Sequence, residues 1–429
     1  MINRRRYISK LAKRQWNGRI KIITGIRRCG KSTLLFELFR EFLVNSGVKE
    51  ENIISFKLDD DEYEEFRDPK KLSEYVRKVT ADRGQKYYVF IDAIQYAVSA
   101  DELRQKDKPV RLYSVLNGFL NLKNIDCYVT GSNSKMLSKD VSTEFRGRGD
   151  AVQVYPLSFS EFYEGTSLEK TDAYNEFMMF GGMPYLLQLD SDDDKFNYLF
   201  NLFEEIYFKD IEERYDVKLP SVLRELTSEL CSSVGSLTNA SKLSRSIQSL
   251  KNLKVDSETV SLYFSYLKDC FLFSEAERFD VKGKKYFEYP SKFYCTDIGL
   301  RNVRLGLRQQ EESHILENCI YNELLVRDFS VDVGVVPIVQ KNDEGKRTQK
   351  SCEIDFIATK GSKKYYIQSA LSMDDAEKTR TELRPLLALN DSFKKIVVSK
   401  SYGKSWTDEN GILRINPVDF LLDENSLDR

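Results

Sequence analysis

The stretch "ITGIRRCGKSTLL", residues 23–35, decides how the first part of this chain folds. Residues 25–33 match the spacing G-x-x-x-x-G-K-[S/T] at every fixed position. Glycines allow the backbone to turn so that its N–H groups face phosphate oxygens. An apolar strand-like segment precedes the motif and an amphipathic helical segment follows it, which is the context that a phosphate loop requires. The helix that follows adds the partial positive charge of its N-terminus.

This loop predicts a bound nucleotide, ATP or ADP, with Mg²⁺. Lys31 would reach the β- and γ-phosphates, and the hydroxyl of Ser32 would bind the metal ion. The residues expected to contact the nucleotide are Gly25, Ile26, Arg27, Arg28, Cys29, Gly30, Lys31, Ser32 and Thr33.

Strand-like and helix-like segments alternate outward from the loop as far as about residue 165. The strand-like segments include residues 19–25, 52–58 and 86–92, and helices of 10–15 residues separate them. Such alternation predicts an α/β domain with a parallel sheet that helices cover on both faces.

The stretch "VFIDA", residues 89–93, should end a second strand at the same edge of that sheet. Asp92 would organise Mg²⁺, directly or through water. A glutamate after it would orient and deprotonate the attacking water, a contribution of roughly 10²–10⁴-fold in rate. Ala93 stands in that position and cannot accept a proton. The sequence therefore predicts nucleotide binding without efficient turnover.

Four further polar residues are candidates for contact with the γ-phosphate. Asn133, or its neighbour Ser132, follows the next strand and would position water or only form a turn. Arg146 and Arg148 would stabilise transferred phosphoryl charge, within one chain or across a subunit interface, or be ordinary surface arginines. Action across a subunit interface would imply a homo-oligomer.

Composition restricts the remaining classes of function. The 429 residues suggest two or three domains, and the net charge of −1 means that any basic site must be local. The seven cysteines form no C-x-x-C pair, which predicts reduced thiols in the cytoplasm. His314 is the single histidine, which excludes a histidine-rich metal site and a Ser-His-Asp triad. No apolar run approaches 18 residues, so no membrane partner is expected.

The amino-terminal segment is strongly basic. Its first 31 residues hold eleven Lys or Arg and no Asp or Glu. It is predicted to be a solvated helix that packs through Tyr7, Ile8 and Leu11, or alternatively a contact for phosphate or nucleic acid.

The ordered set of motifs resembles that of bacterial and archaeal AAA-type P-loop ATPases with a C-terminal DUF4143 domain. The matching stretches are "ITGIRRCGKSTLL", "FIDAIQ", "YVTGSNSKMLS", "FRGRG…YPLSFSEF", "FGGMPYLL" and "FDVKGKKYF…KFYCTDIGLRN". The resemblance implies an AAA-like ATPase domain over residues 1–165, a helical lid and winged-helix region over 166–310, and a degenerate restriction-endonuclease-like α/β domain over 311–429. The family pattern at 92–95 reads Asp-Glu-Ile-Gln, so this chain departs from it at Ala93.

The middle segment carries the candidate nucleic-acid contacts. Two helices, the second capped by Asp256 or Ser257, and a hairpin around "VKGKK" form a winged-helix pattern. DNA is the expected target, with a nucleotide-gated scaffold that binds a partner protein as the alternative. The residues expected to meet phosphates are Lys242, Arg245, Lys251, Lys282, Lys284 and Lys285.

The last third holds three residues at the positions of a restriction-type nuclease site. Glu317, Asp355 and Gln368 fit an early Glu, an Asp at a strand end, and the first position of (E/Q)-x-Lys. Ala370 stands where the lysine belongs, so no cation is expected there to stabilise the attacking hydroxide. The interpretation is a structural remnant without nuclease activity.

Overall fold

A five-stranded parallel sheet carries the first part of the chain. The computed structural model describes residues 2–99, 102, 110–132, 148–251, 254–308, 311–341 and 347–429. The strands of the first sheet are β1 (Ile20–Thr24), β2 (Ile53–Lys57), β3 (Tyr87–Asp92), β4 (Ile125–Gly131) and β5 (Gly149–Gln153). Their order is β2-β3-β4-β1-β5, and every neighbouring pair is parallel. The predicted α/β parallel sheet is confirmed.

The strands at the centre of this sheet are buried at every position, as is usual for a sheet that helices cover on both faces. The first unit of the chain comprises Met1–Pro156 with Asp269–Phe271. Its helical segments are α1 (Arg5–Ala12), α2 (Lys31–Thr33, continuing as the π-helical Leu34–Phe39 and as Arg40–Asn45), α3 (Pro69–Val79), α4 (Arg111–Leu120) and the 3₁₀ turns Glu50–Asn52, Asp61–Arg67 and Ile94–Ala97.

A buried ion pair joins two strands near the amino end of this sheet. Lys21 of β1 is fully buried, and its ammonium pairs with the carboxylate of Asp126 on β4. The hydroxyl of Tyr128 and the backbone N–H of Trp16 donate to the same carboxylate, at 2.8 and 3.1 Å. These bonds satisfy two charges that would otherwise be costly to bury.

The second unit comprises Leu157–Lys268 and Leu272–Arg429. It begins with helices and ends with a mixed sheet. Its helical segments are α5 (Phe159–Gly165), α6 (Lys170–Phe180), the 3₁₀ turn Pro184–Gln188, α7 (Asp192–Asn201, continuing as the π-helical Leu202–Phe208 and as Lys209–Tyr215), α8 (Pro220–Ser232), α9 (Ala240–Lys251), α10 (Ser257–Asp269), α11 (Ile298–Arg304), α12 (Glu312–Val326), α13 (Ala376–Leu387) and α14 (Pro417–Leu422). Among the residues described, no helix is long and apolar enough to cross a membrane.

The mixed sheet of the second unit has eight strands in the order β12-β13-β11-β10-β9-β8-β6-β7. β6/β7, β8/β9, β9/β10 and β12/β13 are antiparallel, whereas β6/β8, β10/β11 and β11/β13 are parallel. The strands are β6 (Phe273–Asp280), β7 (Lys285–Cys295), β8 (Ser330–Lys341), β9 (Arg347–Lys360), β10 (Lys363–Ala370), β11 (Lys394–Ser399), β12 (Trp406–Thr407) and β13 (Ile412–Ile415).

Helices α8, α9 and α10 lead directly into the β6–β7 hairpin, whose tip lies at residues 281–284 as the sequence predicts. The segment that leads into α9 is tied to the hairpin, because Thr238 and Ser291 exchange backbone hydrogen bonds of 2.9 and 3.1 Å. Of the two expected caps of α10, Asp256 accepts a hydrogen bond of 2.6 Å from the N–H of Thr259.

Asp297 joins two stretches that the sequence marked as motifs, "FGGMPYLL" and "CTDIGLRN". The buried carboxylate accepts hydrogen bonds from the N–H groups of Gly182 (2.7 Å) and Leu300 (3.0 Å), and so begins α11. The approach is close enough that a Cβ at Gly299 would lie 1.7 Å from the carbonyl oxygen of Phe180. Since that oxygen belongs to the backbone, it cannot move aside as a flexible side chain would.

We expect Gly299→Ala to lower the free energy of unfolding by about 3 kcal/mol, because the added methyl group overlaps the backbone of Phe180. Chemical denaturation followed by circular dichroism measures this. Gly403→Ala is the matched control, since no atom lies within 4 Å of a Cβ at Gly403. Equal stability of the two variants would contradict the close packing of α11 on the end of α6.

Candidate functional site

The loop of residues 25–30 connects β1 to α2 and takes left-handed backbone conformations at three positions. The φ angles are +144° at Gly25, +68° at Arg28 and +93° at Gly30. A Cβ at Gly25 would lie 2.1 Å from the carbonyl oxygen of Val154, which follows β5. Position 25 therefore requires glycine, because a Cβ would overlap the Val154 carbonyl and because the φ angle is positive.

Lys31 folds back across this loop. Its ammonium donates to the carbonyl oxygens of Gly25 (3.0 Å) and Ile26 (2.8 Å). Ser32 and Thr33 are exposed on the first turn of α2, where N–H groups have no acceptor within the helix. The remaining loop residues differ in exposure: Cys29 is buried, Arg27 is half-buried and Arg28 is exposed. The loop and the first turn of α2 thus combine a cation, a hydroxyl and the N–H groups of a helix N-terminus, a donor set that fits phosphate and Mg²⁺.

Asp92 ends β3 and is held in place by Thr130 at the end of β4. The Thr130 hydroxyl donates to Oδ1 of Asp92, and both atoms accept from the N–H of Ala93, at 3.1 Å (Oγ1) and 3.0 Å (Oδ1). Asp92 and Thr130 are 5% and 1% exposed, so these bonds fix the carboxylate firmly. Sequence reasoning missed Thr130, although a hydroxyl at a strand end beside Asp92 was a readable signal.

Ala93 also has a left-handed backbone, with φ +55° and ψ +47°, and begins the 3₁₀ turn Ile94–Ala97. For a residue with a Cβ this conformation costs about 1–2 kcal/mol. Strain of this kind is concentrated at functional sites, where the surrounding structure enforces it. The surrounding structure thus holds Ala93 in this bend, although its side chain carries no functional group.

The other candidate residues for γ-phosphate contact are placed differently. Asn133 and Arg146 lie outside the described residues, while Ser132 is half-buried directly after β4. Arg148 accepts a hydrogen bond from the N–H of Ile20 through its carbonyl, which puts it at the amino end of β1. The phosphate loop begins at the opposite, carboxyl end of β1, about 13 Å from its amino end at ~3.3 Å per residue. A role for Arg148 on the phosphates, within its own chain or across a subunit interface, stays a prediction.

In the second unit, the structure brings Glu317, Asp355 and Gln368 together. Asp355 accepts from the N–H of Ser369 (2.8 Å), and its own N–H donates to Oε1 of Gln368 (3.4 Å). Gln368 in turn donates to Glu382 on α13 at 2.8 Å. The three residues predicted from spacing do form one cluster.

A lysine that sequence reasoning missed lies in this cluster. The ammonium of Lys292, on β7, is 2.9 Å from Glu317, 2.7 Å from Glu353 and 3.5 Å from Asp355. The expectation that no cation is present because of Ala370 is wrong, since the fold supplies one from another strand. Within the described part of the chain, no group of three or more His, Cys, Asp or Glu is arranged to hold a metal ion.

The charges in this cluster perturb one another. Burial, reinforced by the negative charge of Asp355, raises the pKa of Glu317 to about 7 despite the nearby ammonium and the hydrogen bond from Tyr294. The three carboxylates raise the pKa of Lys292 well above its ordinary value and outweigh its burial. Lys292 therefore stays charged and acts as the counter-ion of the site.

The candidate nucleic-acid contacts lie on α9 and at the hairpin tip. Lys242 and Arg245 are exposed, and each donates to a nearby backbone carbonyl, that of Leu237 (3.1 Å) or Ser241 (3.2 Å). The side chain of Lys251 lies outside the described residues.

At the hairpin tip, Lys282 donates to the carbonyl oxygen of Pro337 on β8 at 3.2 Å, while Lys284 and Lys285 are exposed. The tip is thus attached to the mixed sheet through Lys282.

Comparisons with known proteins agree with the first sheet and its loop. Residues 17–163 match the family model AAA_14, described as an AAA domain, and residues 171–311 match DUF8612, a domain of unknown function. An uncharacterized protein of Haemophilus influenzae is 32% identical over 427 residues, which cover 98% of this chain and 99% of that protein. The uncharacterized protein MJ1544 of Methanocaldococcus jannaschii is 27% identical over 378 residues, covering 84% of this chain and 77% of that protein.

Among solved structures, the Aeropyrum pernix ORC1 protein in complex with DNA is 12% identical and covers 71% of this chain and 93% of that chain. The TM-score between the two structures is 0.28. The second family match covers the middle of the chain and differs from DUF4143, so the DUF4143 assignment stays a prediction.

The parallel sheet, the loop between β1 and α2 and the AAA match define a P-loop AAA-type ATPase, a class that uses ATP and typically Mg²⁺. Within this class, the chain belongs to the same family as the Haemophilus influenzae protein, which it matches over nearly its whole length.

The raised pKa of Glu317 predicts a specific pH dependence of stability. Because ionisation is disfavoured in the folded state, the contribution of Glu317 is complete below about pH 4.5 and is lost as the pH rises to about 7. Glu317→Gln cannot ionise, so its stability relative to the unmodified chain should rise between pH 5 and pH 7.5 in denaturant unfolding. Glu353→Gln removes a more exposed carboxylate from the same ammonium and is the control. An unchanged difference at the two pH values would contradict this account.

Proposed function

We propose that this chain binds ATP·Mg²⁺ through the loop of residues 25–33 and hydrolyses it slowly. The observation that carries the proposal is the pairing of an intact phosphate loop with a fixed Asp92 that is followed by Ala93. In the bound state the ammonium of Lys31 would exchange its two carbonyl partners for β- and γ-phosphate oxygens. Ser32 and Asp92 would hold Mg²⁺, whose charge neutralises the phosphates.

The slow step in this proposal is activation of the attacking water. Thr130 and the N–H of Ala93 hold Oδ1 of Asp92, and in this proposal the carboxylate serves the metal ion rather than the attacking water. The methyl group of Ala93 has no lone pair with which to orient water. Binding and metal positioning are therefore retained while general-base assistance is missing.

Ala93→Glu should raise the steady-state rate of phosphate release from ATP by about 10²–10⁴-fold, because it restores a base after Asp92. Ala93→Gln, of similar size but without basicity, is the matched control and should give no such gain. A Lys31→Ala change added to Ala93→Glu should abolish the activity and thereby exclude a contaminating ATPase.

A rate for Ala93→Glu no higher than for Ala93→Gln would disprove this role of position 93. Rapid turnover by the unmodified chain would also contradict it and would indicate a base elsewhere. The first variant to test would then be Asp59→Asn. Asp59 follows β2 and is exposed, and it lies at the same edge of the parallel sheet as Asp92. The N–H of Leu58 donates to the carbonyl of Asp92 at 3.4 Å.

The second part of the proposal is that the nucleotide state is coupled to a winged-helix module that contacts DNA. Three helices, a short pairing between Thr238 and Ser291 and the β6–β7 hairpin support this assignment. Exposed cations on α9 and the hairpin tip would meet phosphates without reading sequence. A restriction-endonuclease-like fold for the last third, without nuclease activity, remains part of the proposal.

One observation favours the alternative, a module that binds a partner protein. The exposed positions of α10 are Ser257, Glu258, Ser261 and Leu262, and Leu262 is 48% exposed. A helix that enters a groove of DNA usually presents Lys, Arg or amide side chains. If DNA binds, we therefore expect contact with its backbone rather than readout of its bases.

The expected DNA affinity falls steeply with salt, because binding to phosphates releases counter-ions. Fluorescence anisotropy with duplex and single-stranded probes at 50 and 200 mM salt measures this. Lys242→Glu with Arg245→Glu should weaken binding and reduce the salt dependence, whereas Lys378→Glu with Arg380→Glu, an exposed pair on α13, should do neither. Absence of binding to every probe at the lower salt would exclude DNA and favour the partner protein.

A further inference from the structure

Arg4 is a buried arginine that touches the phosphate loop from the amino-terminal segment. It is 5% exposed, whereas the neighbouring Arg5 is exposed. Its Nη1 donates to the carbonyl oxygen of Cys29 at 3.1 Å, and its Nη2 donates to the carbonyl oxygen of Tyr155 at 2.8 Å. One guanidinium thus bridges the loop after β1 and the segment after β5.

The bond to Cys29 fixes the direction of the next N–H group. A trans peptide unit is planar, and its C=O and N–H point in opposite directions. Because Arg4 holds the carbonyl of Cys29, the N–H of Gly30 is directed away from the guanidinium. Gly30 immediately precedes α2 with a left-handed φ of +93°, and because glycine has no Cβ, the peptide unit between Cys29 and Gly30 can rotate unless a contact holds it.

The segment after β5, to which Arg4 also donates, is itself held in place by further contacts. The N–H of Tyr155 donates to the hydroxyl of Tyr7 at 3.2 Å, and the guanidinium of Arg4 lies 4.5 Å from the centre of the Tyr7 ring. The adjacent carbonyl of Val154 accepts from the thiol of Cys29 at 3.4 Å. The segment after β5 and the start of the chain therefore hold the loop together, with Arg4 as the charged link.

We infer that Arg4 is a positioning residue for phosphate recognition, which it supports by orienting the N–H of Gly30 towards the bound phosphates. This inference rests on the proposed nucleotide binding by residues 25–33. A guanidinium is suited to the task because its rigid fork can donate to two carbonyl groups at once, which an ammonium on a flexible stem does less well. Its positive charge, buried beside the loop, adds attraction for an anion.

The test compares ligands with and without phosphates. Arg4→Met should weaken ATP and pyrophosphate binding by about tenfold, equivalent to about 1.4 kcal/mol, and leave adenosine binding unchanged. Arg4→Lys should lie between Arg4→Met and the unmodified chain. Isothermal titration calorimetry on the full chain, at a temperature where every variant is folded, gives these affinities.

Two control variants separate positioning from general stability. Arg5→Met removes an exposed arginine and should change nothing. Arg14→Met removes a bond of 2.9 Å to Asp150 at the start of β5, so it should lower thermal stability without changing pyrophosphate affinity.

The possible failures are distinguishable. Equal pyrophosphate affinity of Arg4→Met and the unmodified chain would overturn this inference alone. A loss that also appears for adenosine, or in Arg14→Met, would mean that Arg4 serves only stability and would likewise overturn it. Absence of ATP and pyrophosphate binding by the unmodified chain would instead refute the proposed function.

Discussion

The contact between Gly25 and the carbonyl oxygen of Val154 is the constraint on which the first unit depends. A Cβ at Gly25 would lie 2.1 Å from that oxygen, so the chain can leave β1 beside β5 only through glycine. This exit brings the loop under the segment that follows β5 and allows Lys31 to fold across it. Without this close approach, the segment after β5 would not pack against the loop.

The fold of the first unit could largely be predicted because its signals are local. The loop motif, the alternating segments and Asp92 at a strand end are each readable within a dozen residues. The residues that sequence reasoning missed act over long separations: Thr130 on Asp92 over 38 residues and Arg4 on Cys29 over 25. Nothing in the spacing of one segment shows which distant side chain the topology brings to it.

The second unit shows the same limit in its polar cluster. Spacing predicted that Glu317, Asp355 and Gln368 would meet, since the latter two lie on paired strands. It could not supply Lys292, which reaches Asp355 from 63 residues away on a strand that is not its neighbour. A buried ammonium among three carboxylates offsets part of their negative charge within the protein, which agrees with a structural role for this site.

In the proposed function, the phosphate loop holds ATP·Mg²⁺ while Ala93 leaves the attacking water without a base. The most direct measurement is a quenched single-turnover reaction of the full, unmodified chain in excess over ATP with Mg²⁺, followed by separation of bound ATP and ADP. We predict about one ATP bound per chain. This ATP should remain unhydrolysed long after an ordinary enzyme, with a turnover number of about 10 s⁻¹, would have consumed it. Conversion of the bound ATP to ADP within seconds, or no bound nucleotide, would contradict the account.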